Sequence, residues 1–334
     1  MNRKKKTLAA LVLLCIGLLG GGWVTRPAPL SPDPLPSDQT PGRTAALRSA
    51  LNDPQSYLAA EEAKIRSRFG ITPGAEKRVV WAQEAGQRSD YAVIYLHGFS
   101  ATRQEIAPVP ELVAKALGAN LFETRLAGHG REREPMAGVR AEQWLDDGVE
   151  ALRIGRALGD RLILMGTSTG ATIALAMARQ PDFQYVDSLI LVSPNFGPAA
   201  AGADMATGPY GPQLTRLFGG EVREWQAANE RQETYWDTRY PTAAVVEMMR
   251  LVALANKLTP EAEVHKALLI YSPRDDVVSV PKLLEGFRAL PAERKQIEVV
   301  ENPDSLSAHV LTGDILAPST SVGTARLISD FIAP

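Results

Sequence analysis

Residues 161 to 180 read Arg-Leu-Ile-Leu-Met-Gly-Thr-Ser-Thr-Gly-Ala-Thr-Ile-Ala-Leu-Ala-Met-Ala-Arg-Gln. Leu162 to Met165 is a short continuous apolar run, the pattern of a strand buried on both faces. Ala171 to Arg179 is rich in Ala with Leu and Met, which favours a helix. Between them lies Gly166-Thr167-Ser168-Thr169-Gly170. A strand that becomes a helix within so few residues must turn sharply, and the serine at the corner is left strained. The positions two before and two after it then crowd each other, so both favour glycine, which has no Cβ. Such a corner lifts Ser168 Oγ above the end of a sheet. It also aims the first unbonded N–H groups of the helix, that of Thr169 included, at whatever bonds to the serine.

On either side the chain keeps a regular rhythm. Arg78 to Ala82 and Tyr91 to Leu96 read as strands around a polar turn at Gly86 to Asp90, followed by a helix over Ile106 to Leu117 and a strand over Asn120 to Leu126. Ala141 to Leu158 carries Trp144, Leu145, Val149, Leu152, Ile154 and Leu158 at helical spacing. Val186 to Val192 is another buried strand. Strand and helix alternating in this way predict a parallel sheet with right-handed crossovers. The rhythm then stops. Phe196 to Val264 contains no convincing strand but holds Tyr210, Trp225, Tyr235, Trp236 and Tyr240, with an amphipathic stretch from Thr242 to Leu258. Inserted between two sheet strands, it reads as a helical lid above the strand ends. The sheet resumes at Ala267 to Tyr271, with a helix over Pro281 to Leu290 and a last strand over Gln296 to Glu301.

A Gly-x-Ser-x-Gly turn between a buried strand and a small-residue helix is the nucleophile elbow, and residues 78 to 334 resemble the α/β-hydrolase superfamily. The groups they are most similar to are bacterial carboxylesterases, monoacylglycerol-lipase-like enzymes and serine-aminopeptidase-like hydrolases. The resemblance implies an α/β fold: a mostly parallel central sheet, helices on both faces, and a lid at about 197 to 264. It implies Ser168 as nucleophile of a carboxylic ester hydrolase, with no metal or organic cofactor. His97-Gly98-Phe99-Ser100 stands where such enzymes begin the oxyanion loop, which implies that the Phe99 N–H pairs with that of Thr169. Two converging donors are needed because a tetrahedral acyl intermediate places negative charge on the former carbonyl oxygen. The catalytic acid of such hydrolases lies after a strand, with an apolar residue three positions later. Asp275 with Val278 fits, and Asp276 is the rival. His309 is the histidine that follows both serine and acid, in the order usual for the superfamily, and stands as the base. His97 and His129 read as histidines that order loops, and His265 as an exposed one at the opposite end of its strand. Aspartate-based dehalogenases and epoxide hydrolases are disfavoured by Ser168.

Two departures from the superfamily stand out. Few strands precede the His-Gly strand, so one edge of the usual eight-stranded sheet is expected to be trimmed. The oxyanion loop is His-Gly-Phe-Ser, not the Gly-rich version of many lipases, which leans toward small esters or monoacylglycerol-like substrates. Thioesterase, amidase or aminopeptidase, and carbon–carbon bond hydrolase activities use the same three residues. A tethered binding module without turnover is the contrasting class.

The amino terminus is a separate problem. Arg3-Lys4-Lys5-Lys6 precedes an uncharged run from Thr7 to Val24. Eighteen helical residues span about 27 Å, enough for a bilayer core. The basic cluster predicts one membrane-anchoring helix with the remainder outside the cytoplasm, periplasmic or extracellular. The rivals are a cleaved signal peptide, giving a secreted protein, and lipidation at Cys15. Residues 1–25 are thus read as anchor or signal, 26–42 as a Pro-rich tether, 43–77 as a helical extension broken near Pro54, and 78–334 as the hydrolase domain. Cys15 is the only cysteine, so no intramolecular disulfide and no thiolate metal site is available. A formal net charge of −2 over 334 residues provides no field for nucleic acid, and the expected partners are a small ester or lipid-like substrate and the membrane. Nothing in the sequence speaks to oligomeric state.

Overall fold

Alternation along the strands sorts the interior into two layers. In β2 (Ser89–Leu96), Ala92, Ile94 and Leu96 join one buried cluster while Val93 and Tyr95 join another. That is the period of two expected of a strand covered on both faces. The computed structural model describes residues 25–31, 50–301 and 303–333. It shows α1 (Pro54–Phe69), β1 (Arg78–Val80), β2, α2 (Val109–Leu117), β3 (Asn120–Glu123), α3 (Ala141–Leu158), β4 (Gly159–Thr167), α4 (Thr169–Ala176) and β5 (Val186–Val192). There follow α5 (Gly211–Gly219), β6 (Val222–Glu224), α6 (Glu230–Tyr235), β7 (Arg239–Pro241), α7 (Ala243–Leu258), β8 (Val264–Tyr271), α8 (Val280–Ala289), β9 (Ala292–Val299) and α9 (Ser321–Ile332).

The main sheet has seven strands in the order β1-β3-β2-β4-β5-β8-β9. Every pairing is parallel except that of β1 with β3, so the sheet is mostly parallel and one edge is short, as expected. On one face, α3, α4, α7 and α8 contribute Trp144, Ile173, Leu251 and Phe287 to the core. On the other, α2 and α9 contribute Val113 and Phe331. Each such side chain removed from water contributes about 1.5–3 kcal/mol. Parallel strands share one carboxyl edge, and the loops after β2, β4, β5, β8 and β9 all open there.

The insertion after β5 divides in two. Its first part, to Pro241, carries α5, α6 and a two-stranded antiparallel ribbon of the exposed β6 and of β7, whose Tyr240 is buried, where no strand was expected. Strands of three residues are too short to show a pattern in sequence. Its last part, α7, was expected to belong to the lid but packs against the elbow helix α4. Ala244, Met248, Leu251, Val252, Ala255 and Leu258 are buried along one stripe, which makes α7 part of the core layer.

Residues 25–31 lie against this insertion. The Tyr210 N–H donates to Thr25 Oγ1 (3.2 Å), Arg26 Nε donates to the Thr207 carbonyl (3.1 Å), and Arg250 Nε donates to the Ala28 carbonyl (2.9 Å). Leu30 is buried in the larger core cluster. The described part of the Pro-rich tether is therefore fastened to the domain. A cavity of about 480 Å³ opens beside it, lined by Pro27, Ala28, Pro212, Thr242, Val246 and Arg250 among others; Ser168, Asp275 and His309 do not line it. The expected anchor at 7–24 and residues 43–49 of the helical extension lie outside the described residues, while residues 50–52 are helical and lead into α1. Among the described residues no helix is long and apolar enough to cross a membrane.

Candidate active site

The elbow is built as tightly as its two glycines demand. Ser168 has φ 51° and ψ −117°, a strained backbone for a residue with a side chain. Its N–H donates to the Val192 carbonyl at the end of β5 (2.9 Å), and its carbonyl accepts from the N–H of Thr172 (3.2 Å) and of Asn195 (3.3 Å). A Cβ on Gly166 would sit 2.5 Å from Ala171 N and 2.6 Å from Ala171 Cα. A Cβ on Gly170 would meet β2 instead, 2.5 Å from Leu96 C and 2.7 Å from the His97 oxygen. The two glycines were expected to make room for each other. Gly166 does so, since its Cβ would also stand 2.6 Å from Gly170 C, whereas Gly170 makes room for the neighbouring strand, letting the elbow helix seat against the start of the His-Gly loop.

Asp275 and His309 come together although they are far apart in sequence. His309 Nδ1 lies 2.8 Å from Asp275 Oδ2. The other carboxylate oxygen, Oδ1, accepts the N–H groups of Val277 (2.9 Å) and Val278 (3.0 Å). These bonds point the carboxylate at the imidazole, and the buried Val278 pins the turn. Asp276 is exposed, and its N–H donates to the Ser307 carbonyl (3.2 Å), joining the acid loop to the histidine loop. Ser193, at φ 44° after β5, donates from Oγ to the His309 carbonyl (2.7 Å). Ser168, Asp275 and His309 are 6%, 8% and 7% exposed, so each is sheltered at the carboxyl edge. A carboxylate can only accept, so His309 Nδ1 carries the proton and Nε2 is left as the acceptor.

His97 orders the loop that follows β2. Its Nδ1 donates to the Gly98 carbonyl (2.9 Å), and its Nε2 accepts the Leu126 N–H (3.0 Å). Burial, then the neighbouring His129, pushes its pKa well below the ordinary value. His129 is pushed down to about 4, chiefly by burial, and its Nδ1 lies 3.1 Å from the Ala127 carbonyl. Both rings are thus neutral parts of the scaffold. His265 is exposed beside Glu293, within β8. Phe99 follows Gly98 at the end of β2, and its ring makes edge contacts with His129, Trp144 and Tyr240. Thr169 opens α4, so its N–H belongs to the first turn, where helix geometry leaves donors unbonded.

Three further groups frame this edge and carried no signal in the sequence. The Asp237 N–H, from the inserted segment, donates to the Ser100 carbonyl (2.6 Å), and the Asp237 carboxyl accepts from the Gly130 N–H. Burial raises its pKa to about 8 against the opposing pull of Arg131. Glu105 and Tyr95 lie beneath the His97–Ser100 loop, fully enclosed. Carboxylates buried by tertiary contacts look, in sequence, like any others. Among the described residues no group of His, Cys, Asp and Glu is placed to hold a metal ion.

Comparison with known proteins places this geometry. The alpha/beta hydrolase family model matches residues 93–312. The chain is 26% identical over 227 residues to a thermostable monoacylglycerol lipase of Bacillus sp. (strain H-257), covering 68% of this chain and 85% of that one. Among solved structures it is similar to that reported for the metagenome-derived lipolytic enzymes LipS and LipT, with a TM-score of 0.63 and 22% identity over 78% of this chain and 98% of that one. It is also similar to a soluble variant of monoglyceride lipase from Saccharomyces cerevisiae, with a TM-score of 0.56, 14% identity, and coverage of 78% and 92%. The elbow, the mostly parallel sheet and a family match spanning well over half of its length make this chain a member of the alpha/beta hydrolase family.

Proposed function

We propose that the protein is a serine hydrolase that cleaves a carboxylic ester, small or monoacylglycerol-like, through an acyl-enzyme on Ser168. The observation that carries this reading is the 2.8 Å bond between Asp275 and His309, at the sheet edge where the elbow projects Ser168. A serine hydroxyl is a poor nucleophile at neutral pH and needs a positioned base. His309 Nε2 takes the Ser168 proton as Oγ attacks the ester carbonyl, and gives it to the departing alcohol. Asp275 holds the imidazole in the right tautomer and stabilises imidazolium without being protonated itself. The N–H groups of Phe99 and Thr169 receive the oxyanion. Water, activated by the same imidazole, then releases the acid. The cycle runs on side chains and water.

The relatives' names support the ester class: one is called a monoacylglycerol lipase and another a monoglyceride lipase. The proposed setting is a membrane surface outside the cytoplasm, with residues 7–24 as anchor. Its support is the basic cluster followed by the uncharged run, and the fastening of residues 25–31 beside the inserted segment.

The test is a panel of p-nitrophenyl esters of increasing acyl length and a monoacylglycerol, with an amide and a thioester alongside, on wild type and Ser168→Ala. Ester turnover that falls by about 10³-fold or more in the variant is expected. Failure to turn over any ester, or fluorophosphonate labelling that is equal in Ser168→Ala, would favour a binding module.

A further inference from the structure

Glu105 closes the short 3₁₀ turn Arg103–Glu105 after the oxyanion loop and is 2% exposed. Its Oε2 accepts two hydrogen bonds, from the Gly98 N–H (2.7 Å) and from the Tyr95 hydroxyl (3.0 Å). The Tyr95 hydroxyl is in turn 3.2 Å from Thr167 Oγ1. A phenol has one proton, so when Tyr95 gives it to the carboxylate, Thr167 is the donor to Tyr95. Thr167 immediately precedes Ser168, and Gly98 immediately precedes Phe99. A fully buried chain of polar groups therefore runs from one side of the proposed oxyanion hole to the other. The fit is close, since a Cβ on Gly98 would stand 2.5 Å from Glu105 Oε1.

The groups that act on this carboxyl are the Gly98 N–H, the Tyr95 hydroxyl and His309, with no Lys or Arg among them. Burial raises its pKa, and those three pull the other way. Asp275 faces the His309 imidazole through Nδ1, and Glu123 adds to the negative field at Tyr95.

We propose that Glu105 is a positioning residue that fixes Gly98–Phe99 relative to Thr167–Ser168 through Tyr95. The proposal rests on the serine-hydrolase reading above. It predicts a loss of turnover that a conservative acceptor at the same position restores.

The experiment compares wild type with Glu105→Gln, Glu105→Met and Tyr95→Phe, using p-nitrophenyl butyrate across pH 5 to 9 and measuring the melting temperature of each. Glu105→Met removes the acceptor from both partners. It is expected to lower kcat by about 100-fold with KM changed by less than about threefold, because misplaced oxyanion donors act in the transition state. Glu105→Gln keeps an acceptor without the charge. Its kcat is expected to stay within about tenfold of wild type, so the conservative variant restores most of what Glu105→Met loses. Tyr95→Phe cuts the link to Thr167 and should fall between the two. Should Glu105→Met not fold, the other two variants carry the test. A Glu105→Gln that loses as much kcat as Glu105→Met, or kcat unchanged in both Glu105→Met and Tyr95→Phe, overturns the proposal while leaving the hydrolase reading intact. A folded wild type that cleaves no ester ends both.

Discussion

Replacing Gly170 by Ala tests whether the elbow and the proposed oxyanion loop are set by one backbone contact. The added Cβ would lie 2.5 Å from Leu96 C and 2.7 Å from the His97 oxygen, where ordinary contact needs at least 3.4 Å. Both neighbours are backbone, so no side chain can swing away. The Leu96 carbonyl oxygen would stand closer still, so the strand end and the helix start must separate by more than an ångström. Overpacking of this kind costs about 1–3 kcal/mol of stability. The effect on rate should be larger than the effect on folding, because the contact lies between the donors of Phe99 and Thr169. A misplacement near 1 Å lowers turnover by about 10²-fold, comparable with loss of one oxyanion donor. The assay is kcat on p-nitrophenyl butyrate, with melting temperature and fluorophosphonate labelling in parallel. Gly323→Ala is the control, since nothing lies within 4 Å of its added Cβ. Gly170→Ala with wild-type kcat and melting temperature would refute the reasoning.

Four further outcomes are expected. The control itself should raise stability by about 0.4–1 kcal/mol in a thermal melt, because Gly323 lies within a helix and an alanine there restricts the unfolded chain. Asp275→Asn should lower kcat by about 10³–10⁴-fold with little change in melting temperature, since the amide cannot hold the Nδ1–H tautomer of His309. Asp237, raised to about 8 by burial, keeps a proton in the folded state that the unfolded chain releases near pH 4. Its contribution to stability is therefore present below pH 4 and lost as pH rises to about 8. The melting temperature of Asp237→Asn should gain on wild type across that window, and a constant gap would refute the assignment. Lys77 is paired with Glu150 (2.7 Å) and Asp147 (3.3 Å), all with nearly buried side chains. Lys77→Met should destabilise by about 3–5 kcal/mol in urea titration, because two enclosed carboxylates lose their counter-charge.

Much of this architecture is readable from local pattern. The helix Ala141–Leu158 and the strand Val186–Val192 have the bounds their periodicity predicts, because each presents enough consecutive residues to show a repeat. Ser168 was legible for a different reason: the elbow demands small residues at two fixed positions, and that demand is written in five consecutive letters. Asp275 over Asp276, by contrast, could be chosen in sequence only through a family likeness. The coordinates separate the two by burial, one beneath the loop and one in solvent.

What the chain's sequence determined alone was the order of elements and the types of residue at each strand end. Both follow from short-range periodicity and local backbone sterics. Tertiary structure decided the rest. It made α7 a core layer instead of a cover, fastened residues 25–31 to the inserted segment, buried Glu105 and Tyr95 beneath the His97–Ser100 loop, and brought Asp237 against it. The reason is that burial and hydrogen-bond partners depend on which distant segments arrive at the same place. A carboxylate's chemistry is set by that company, which no neighbouring residue in the sequence reveals.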